Sequence, residues 1–317
     1  MSGMLAGPAL RREMERERLG TWLQRELGET LEAMVAVAGG CIHGAWRLEL
    51  SSGRRLFAKY NRAALLPVLA AEAEGLNALS AVVATTVAPP GLTVPTPLHL
   101  TELEGEALLV LPWLELSRQP PASERAWQQL GSQLAGLHLA SLQGHDGRFG
   151  WHEDNWIGAA PQHNGWDEDW GRFFTERRLR PQLERAAQRG QPLQGAAALL
   201  ERLPHWLREH RVEACLVHGD LWSGNAGLLR DGGGALFDPA VYRGDREVDL
   251  AMAKLFGGFP AAFFTGYETA WPLAPGHRQR REAYNLYHLL NHANLFGGGY
   301  QAQAERSLQA LLRIMSA

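Results

Sequence analysis

The stretch LVHGDLWSGN, Leu216 to Asn225, constrains this chain more than any other. Cys215, Leu216 and Val217 predict a short buried strand that delivers His218, Gly219 and Asp220 to its end. The polar, glycine-bearing run behind it returns Asn225 to the same place. Further on, ALFDPA (Ala235–Ala240) repeats the pattern, a buried strand ending in Asp238. His-x-Asp-x-x-x-x-Asn followed by a second strand-end Asp is the order that ATP-dependent phosphoryl transfer uses. One carboxylate orients the attacking hydroxyl and accepts its proton, while an Asn and another Asp hold magnesium on the nucleotide phosphates. Asp220 is therefore expected as the catalytic base, Asn225 and Asp238 as metal ligands, and ATP and Mg2+ as cofactors.

A chain of 317 residues can bury the core of two lobes. Its net charge of −3 lacks the basic footprint of a protein that binds nucleic acid by neutralising phosphates. Its uninterrupted apolar runs fall short of the ~20 residues a membrane span needs, and the N-terminus has no basic start followed by an apolar core. Cys41 and Cys215 form neither a disulfide framework nor a metal-ligand spacing. The expectation is a reduced, cytoplasmic protein with no nucleic-acid or membrane partner.

The N-terminal part reads as an antiparallel sheet with helices. Residues 1–28 predict a docked helix with Trp22, Leu23 and Leu27 inward, stopped by Gly28. Strands follow at LEAMVAV, AWRLEL (Ala45–Leu50) and LFAKY (Leu56–Tyr60), the first two separated by the loop GGCIHG. With little side-chain bulk, Gly39, Gly40 and Cys41 can bring backbone N–H groups to phosphates, although the same run also suits a plain hairpin turn. Lys59, at the end of the next strand, is placed to meet the α- and β-phosphates. The helix predicted over Pro67–Ser80 carries Glu72, assigned as the partner of Lys59, and Glu74, read as a solvated helix acid. A buried strand, Ala107 to Leu116, then runs into Pro112 at a hinge, where backbone groups of Leu111 to Trp113 face an adenine edge. The Trp113 side chain is more simply read as packing. The boundaries are 1–111 for a nucleotide-binding lobe, 112–116 for the hinge and 117–317 for a mostly helical catalytic and substrate lobe.

In that second lobe SERAWQQLGSQLAGLHLAS (Ser123–Ser141) begins at a good cap and predicts a helix in which His138 is structural. Trp151, Trp156, Trp166 and Trp170 are assigned mostly to packing. Asp245 and Asp249 flank the start of a helix near Glu247, and either cap helices or bond the backbone of the catalytic loop. Two or three further helices complete the chain.

With these residues assembled, the chain resembles the fructosamine-3-kinase, or ketosamine-3-kinase, family, within the aminoglycoside-phosphotransferase and choline-kinase group. The resemblance runs from about Leu31 onward and rests on HGDLWSGN, FDPA, LFGGFPAAFFTGY (Leu255–Tyr267) and LNHANLFGGGY (Leu290–Tyr300). It implies a bilobal α+β protein-kinase-like fold and transfer of phosphate to the 3-hydroxyl of a ketosamine, promoting deglycation. Asp220 falls on the family's base, Asn225 and Asp238 on its magnesium ligands, and Lys59 and Glu72 on its ion pair. The family's glycine loop continues with Ile and a polar pair, whereas His43-Gly44 follows Ile42 here. Trp222, His292 and Asn294 are candidates for sugar contact, each equally readable as packed or capped structure. Cys41 suggests a monomer or a weak, redox-sensitive dimer. Two alternatives stand beside this reading: a kinase for an aminoglycoside, choline or homoserine-type alcohol, for which Asp167, Glu168 and Asp169 offer cation-binding acids, and a non-catalytic nucleotide-binding module.

Overall fold

Period-two burial organises the strand Gly44–Leu50. In the computed structural model, which describes residues 8–37, 44–85, 91–117 and 123–316, the chain divides into residues 1–73 with 95–114, and residues 74–94 with 115–317.

The first unit holds helix α1 (Pro8–Leu27), strands β1 (Leu31–Ala36), β2 (Gly44–Leu50) and β3 (Arg55–Arg62), and the first half of helix α2 (Leu66–Thr85). In the second unit, β4 (Leu92–Thr93) follows; the chain then returns to the first through β5 (His99–Leu103) and β6 (Glu106–Pro112). The sheet is antiparallel in the order β1-β2-β3-β6-β5. Trp46, Leu48 and Leu50 alternate inward along β2 and meet Leu19, Trp22 and Leu23 of α1 together with Leu56 and Ala58 of β3. Burying each leucine stabilises by about 1.5–3 kcal/mol relative to exposure. Because Leu56 and Ala58 point at α1, the strand's alternation sends Lys59 to the opposite face.

Helix α2 buries Leu69, Ala73, Leu76 and Leu79 at helical spacing. The helical segment Ala63–Thr85 is long and apolar enough by length and composition to cross a bilayer. Its uninterrupted apolar stretch is short all the same, because Glu72 and Glu74 break it. Its Glu72 and Glu74 are nevertheless held by protein partners, as expected of a helix packed within the fold.

The second unit is mainly helical. It contains α3 (Glu124–Ala140), the hairpin β7 (Asn155–Ile157) and β8 (Ala160–Gln162), α4 (Trp170–Phe173), a π-turn over Phe174–Leu179, α5 (Arg180–Gln188) and α6 (Ala196–Arg208). Then come β9 (Cys215–Val217), β10 (Ala226–Leu228), β11 (Gly234–Leu236), β12 (Tyr242–Gly244), α7 (Glu247–Leu255), α8 (Ala261–Ala270), α9 (His277–Phe296) and α10 (Gly299–Ile314). Ser123 caps α3 by accepting from the Ala126 N–H at 3.3 Å. β9 pairs with β12, and β10 with β11, which β4 joins in parallel. This pairing, with Gly75 of α2 packed against Pro239 and Val241, groups residues 74–94 with the C-terminal unit. The core gathers Trp170, Phe173 and Phe174 around Tyr284, Leu286 and Leu290 of α9.

Arg178, on the π-turn, is fully buried with its guanidinium 4.0 Å from the Tyr242 ring centre and 4.7 Å from that of Phe173. Flat aromatic faces and carbonyl oxygens stand in for a carboxylate partner. It donates to the His163 carbonyl and, at 2.7 Å, to Asn164 Oδ1.

Candidate active site

Three consecutive buried residues in β9 bring His218 to the strand end, and β11 brings Phe237 and Asp238 to the next. Between them the loop folds on its own polar groups. The Asn225 Nδ2 donates to the Asp220 carboxylate at 3.0 Å, to the Asp220 carbonyl at 2.9 Å and to the Asp238 carbonyl at 3.2 Å. Asn225 thus joins the ends of both strands. The structure brings Asp220, Asn225 and Asp238 into one group, with Asn225 buried.

His218 fixes the loop from below. Its Nε2–H donates to the Phe237 carbonyl at 2.9 Å, and its Nδ1 accepts from the Asp220 N–H at 3.3 Å. Those two bonds define a neutral tautomer, and burial holds its pKa below the ordinary value, with Asp249 opposing. Asp249 supplies the other anchor. Its two oxygens accept from the backbone N–H groups of His218 at 2.7 Å and Gly219 at 2.8 Å. His138 Nε2 adds a third bond at 3.1 Å, and Tyr267 bonds the other His138 nitrogen at 2.8 Å. Burial alone would raise the Asp249 carboxyl, but its hydrogen bonds and the neighbouring imidazoles outweigh that and lower it. The expected backbone-bonding role of Asp249 and structural role of His138 are both present. Asp245 likewise accepts from the Glu247 N–H at 2.9 Å at the start of α7.

Backbone geometry is equally constrained. Gly219 has φ +79, and a Cβ there would lie 2.1 Å from the Ala240 carbonyl oxygen. Asp238 is a non-glycine residue at φ +55, a left-handed conformation that costs energy and recurs at functional sites. The segment beyond it is held by Gln162 Nε2 on the Ala240 carbonyl at 3.1 Å and Asn155 Nδ2 on the Val241 carbonyl at 2.8 Å. Asn155 and Gln162 face each other across the β7–β8 hairpin, and Asn164 ties them to Arg178. Sequence reasoning missed this set. The available signal was isolated polar residues in register within a largely apolar hairpin.

Burial and the nearby Asp238 carboxylate raise the Asp220 carboxyl to about 7, against the Asn225 N–H, which favours the anion. A carboxylate poised there suits a general base near neutrality. Asn225 directs its amide nitrogen at Asp220, and its oxygen accepts no hydrogen bond among the described residues. That oxygen and the Asp238 carboxylate form the hard-oxygen donor set that magnesium prefers.

In the other unit, Lys59 Nζ lies 2.8 Å from Glu72 Oε1, with both side chains largely buried. Glu74, expected to be solvated, has a side chain 38% exposed and also accepts from Trp151 Nε1 at 2.8 Å and lies 2.9 Å from His152 Nε2. That also gives Trp151 a polar contact beyond packing. Gly39, Gly40 and Cys41 lie outside the described residues. At the position expected for the hinge, the Trp113 N–H donates to the Arg55 carbonyl at 3.2 Å. Antiparallel alternation then turns the backbone groups of Leu111, paired with Phe57, into the β3 ladder as well. Neither residue therefore presents a backbone N–H to a ligand. The Trp113 ring packs near Phe57 and Arg47.

The remaining candidates differ in placement. Trp222 belongs to the loop's turn, its N–H bonded to the Asp220 carbonyl and its carbonyl to the Asn225 N–H, while its half-buried indole covers Gly224. Asn294 is buried, with its amide nitrogen on the Gln182 carbonyl and Oε1 at 2.9 and 2.8 Å. His292 bonds the His288 carbonyl at 2.9 Å and sits among Phe256, Phe296 and Tyr300. A second ionisable cluster, His210, Asp245 and Glu247, is closed by protein donors. Arg280 takes both Glu247 oxygens at 2.9 and 2.7 Å, and Tyr284 takes Asp245 at 2.6 Å.

Strand-end carboxylates joined by an asparagine, in a chain with one unit built on an antiparallel sheet whose Lys59 pairs with a helix glutamate and another that is mainly helical, define a phosphotransferase of the protein-kinase-like α+β class. The family model for fructosamine kinase matches residues 16–314, and the chain belongs to that family. A Synechocystis protein named as a ketoamine kinase is 44% identical over 88% of this chain and 90% of its own. The chloroplastic protein-ribulosamine 3-kinase of rice is 33% identical over 93% of this chain and 84% of its own. A Haemophilus somnus structure named for fructosamine-3-kinase superposes with a TM-score of 0.81 at 25% identity, covering 93% of this chain and 96% of the other.

Proposed function

We propose that the chain transfers the γ-phosphate of ATP to the 3-hydroxyl of ketosamines and so promotes release of the amine. The carrying observation is the single group formed by Asp220, Asn225 and Asp238, supported by family membership and by relatives named for ketoamine and ribulosamine substrates. Asp220 orients the sugar hydroxyl and takes its proton as the bond to phosphorus forms. Lys59, held by Glu72, and the amides of Gly39, Gly40 and Cys41 bind the nucleotide phosphates. Asn225 and Asp238 would hold magnesium, which neutralises charge on the phosphate oxygens during transfer. Trp222 and His292 are proposed to line the sugar site. The product explains the purpose. With nitrogen on C1 and the ketone on C2, enolisation toward C1 expels a C3 phosphate, and the amine is then released.

The aminoglycoside-type alternative needs uncommitted acids to meet a cationic substrate. Asp167 receives two bonds from Arg172, both at 2.7 Å, and Asp169 caps α4 while binding Arg208 at 2.7 Å. Glu168, the third of these acids, is exposed and forms no ion pair among the described residues, so the choice between the two readings rests on the substrate turned over. A coupled ATPase assay across ribulosyl-lysine, fructosyl-lysine, kanamycin and choline, with phosphates located by NMR, tests the choice. Turnover of a ketosamine at its 3-hydroxyl is expected; turnover of kanamycin or choline alone contradicts it.

The raised Asp220 pKa sets a pH dependence. As the carboxylate is the active form, kcat/KM should rise roughly tenfold per pH unit on the acid side and level off above about 7. A profile flat from about pH 6 to 8 rules out Asp220 as the base at this pKa. For stability the sign is the reverse. Between about 4, the unfolded value, and about 7, the folded chain keeps the extra proton, so this group's contribution falls as pH rises.

A further inference from the structure

Of the chain's 31 basic residues only Lys59 and Lys254 are lysines; the rest are arginines. An enzyme that acts on sugar-modified amines works among reducing sugars, and those sugars attack lysine. The ε-amine lone pair adds to an aldose carbonyl, forming a C–N bond. Loss of water gives an aldimine, and a proton shift from C2 to C1 yields the ketosamine with no oxidant needed. Arginine stays protonated and delocalised, so it does not follow this route. The chain's exposure to glycation therefore reduces to its α-amine and two ε-amines.

Those two ε-amines stand in opposite environments. Lys59 is 6% exposed, and its ammonium is held at 2.8 Å by the Glu72 carboxylate. To react it must lose that partner, lose a proton and admit a sugar into a packed site. Lys254 is exposed on the last turn of α7. Its Nζ lies 5.2 Å from the Phe264 ring centre, and no carboxylate pairs with it among the described residues. Water and a sugar can both reach it.

We infer that Lys254 is this enzyme's own glycation site, and that the resulting aldose-derived ketosamine is a substrate of the same enzyme. The indispensable ammonium of the nucleotide site is shielded, while the amine left open is one whose modification the enzyme's own reaction reverses. The reversal rests on the ketosamine-kinase reading; the choice of lysine does not.

The full chain, confirmed folded by circular dichroism, is incubated with ribose without nucleotide and mapped by peptide mass spectrometry. Adduct at Lys254 should exceed adduct at Lys59 by at least about tenfold, since a buried group reacts only through local opening. Lys254→Arg should lose nearly all ε-amine incorporation and keep wild-type activity. Adding MgATP should then clear Lys254 adduct from the wild type but not from Asp220→Asn. Comparable modification of Lys59 in the folded chain, or an unmodified Lys254 beside a modified α-amine, overturns the site. Persistence of the Lys254 adduct while the same sample phosphorylates ribulosyl-lysine overturns the self-repair and leaves the ketosamine reading intact. Failure on ribulosyl-lysine as well removes both.

Discussion

Asp220→Asn is expected to lower kcat by on the order of 10² or more while leaving the KM for ATP nearly unchanged. The amide keeps the size and shape of the side chain in a loop that His218, Asn225 and Asp249 already hold in place. What it loses is the ability to accept the hydroxyl proton. The new amide can keep its oxygen toward Asn225 Nδ2, which leaves an NH2 rather than a carboxylate oxygen to face the hydroxyl. Residual turnover reflects phosphate positioning, which dominates phosphoryl transfer. Steady-state kinetics with ribulosyl-lysine decide it, and near-wild-type kcat in a folded variant would remove Asp220 from the mechanism.

Asp249→Ala has the second large effect, through structure first. It strips partners from the His218 and Gly219 N–H groups and from His138, all buried. Removing a buried carboxylate that satisfies several donors costs about 3–5 kcal/mol. A calorimetric melt should show a clear drop, and kcat measured well below that melt should still be depressed because the loop carrying Asp220 has lost its support. Asp249→Asn, which keeps an oxygen for one N–H, should lie between. If both variants melt with the wild type, Asp249 does not anchor the loop.

The parts of this molecule that the sequence announces are those whose chemistry is fixed by spacing. Asp220, Asn225 and Asp238 lie at the ends of two short strands joined by a turn, so proximity follows from local chain reach. Lys59 and Glu72 were legible because strand alternation and helical spacing define which face each occupies. Other features depend on tertiary partners that no local pattern encodes. Arg178 looks like half of an ordinary basic pair until Tyr242 and Phe173 close around it. Glu74 differs from a solvated acid only because Trp151, distant in sequence, donates to it. Leu111 lies in the expected strand and Trp113 just beyond its end, but whether their N–H groups face in or out depends on ladder parity, which a single bond to Arg55 fixes.

The left-handed backbone at Asp238 also limits how this position can vary. Outside the hairpin turn at Glu104, it is the one non-glycine residue among those described that adopts such a conformation. Asparagine tolerates it with little penalty and glycine with none, whereas β-branched residues resist it. A saturation library selected for folding alone should therefore drift here toward asparagine and glycine. The aspartate that selection for turnover retains is the less comfortable choice for the backbone.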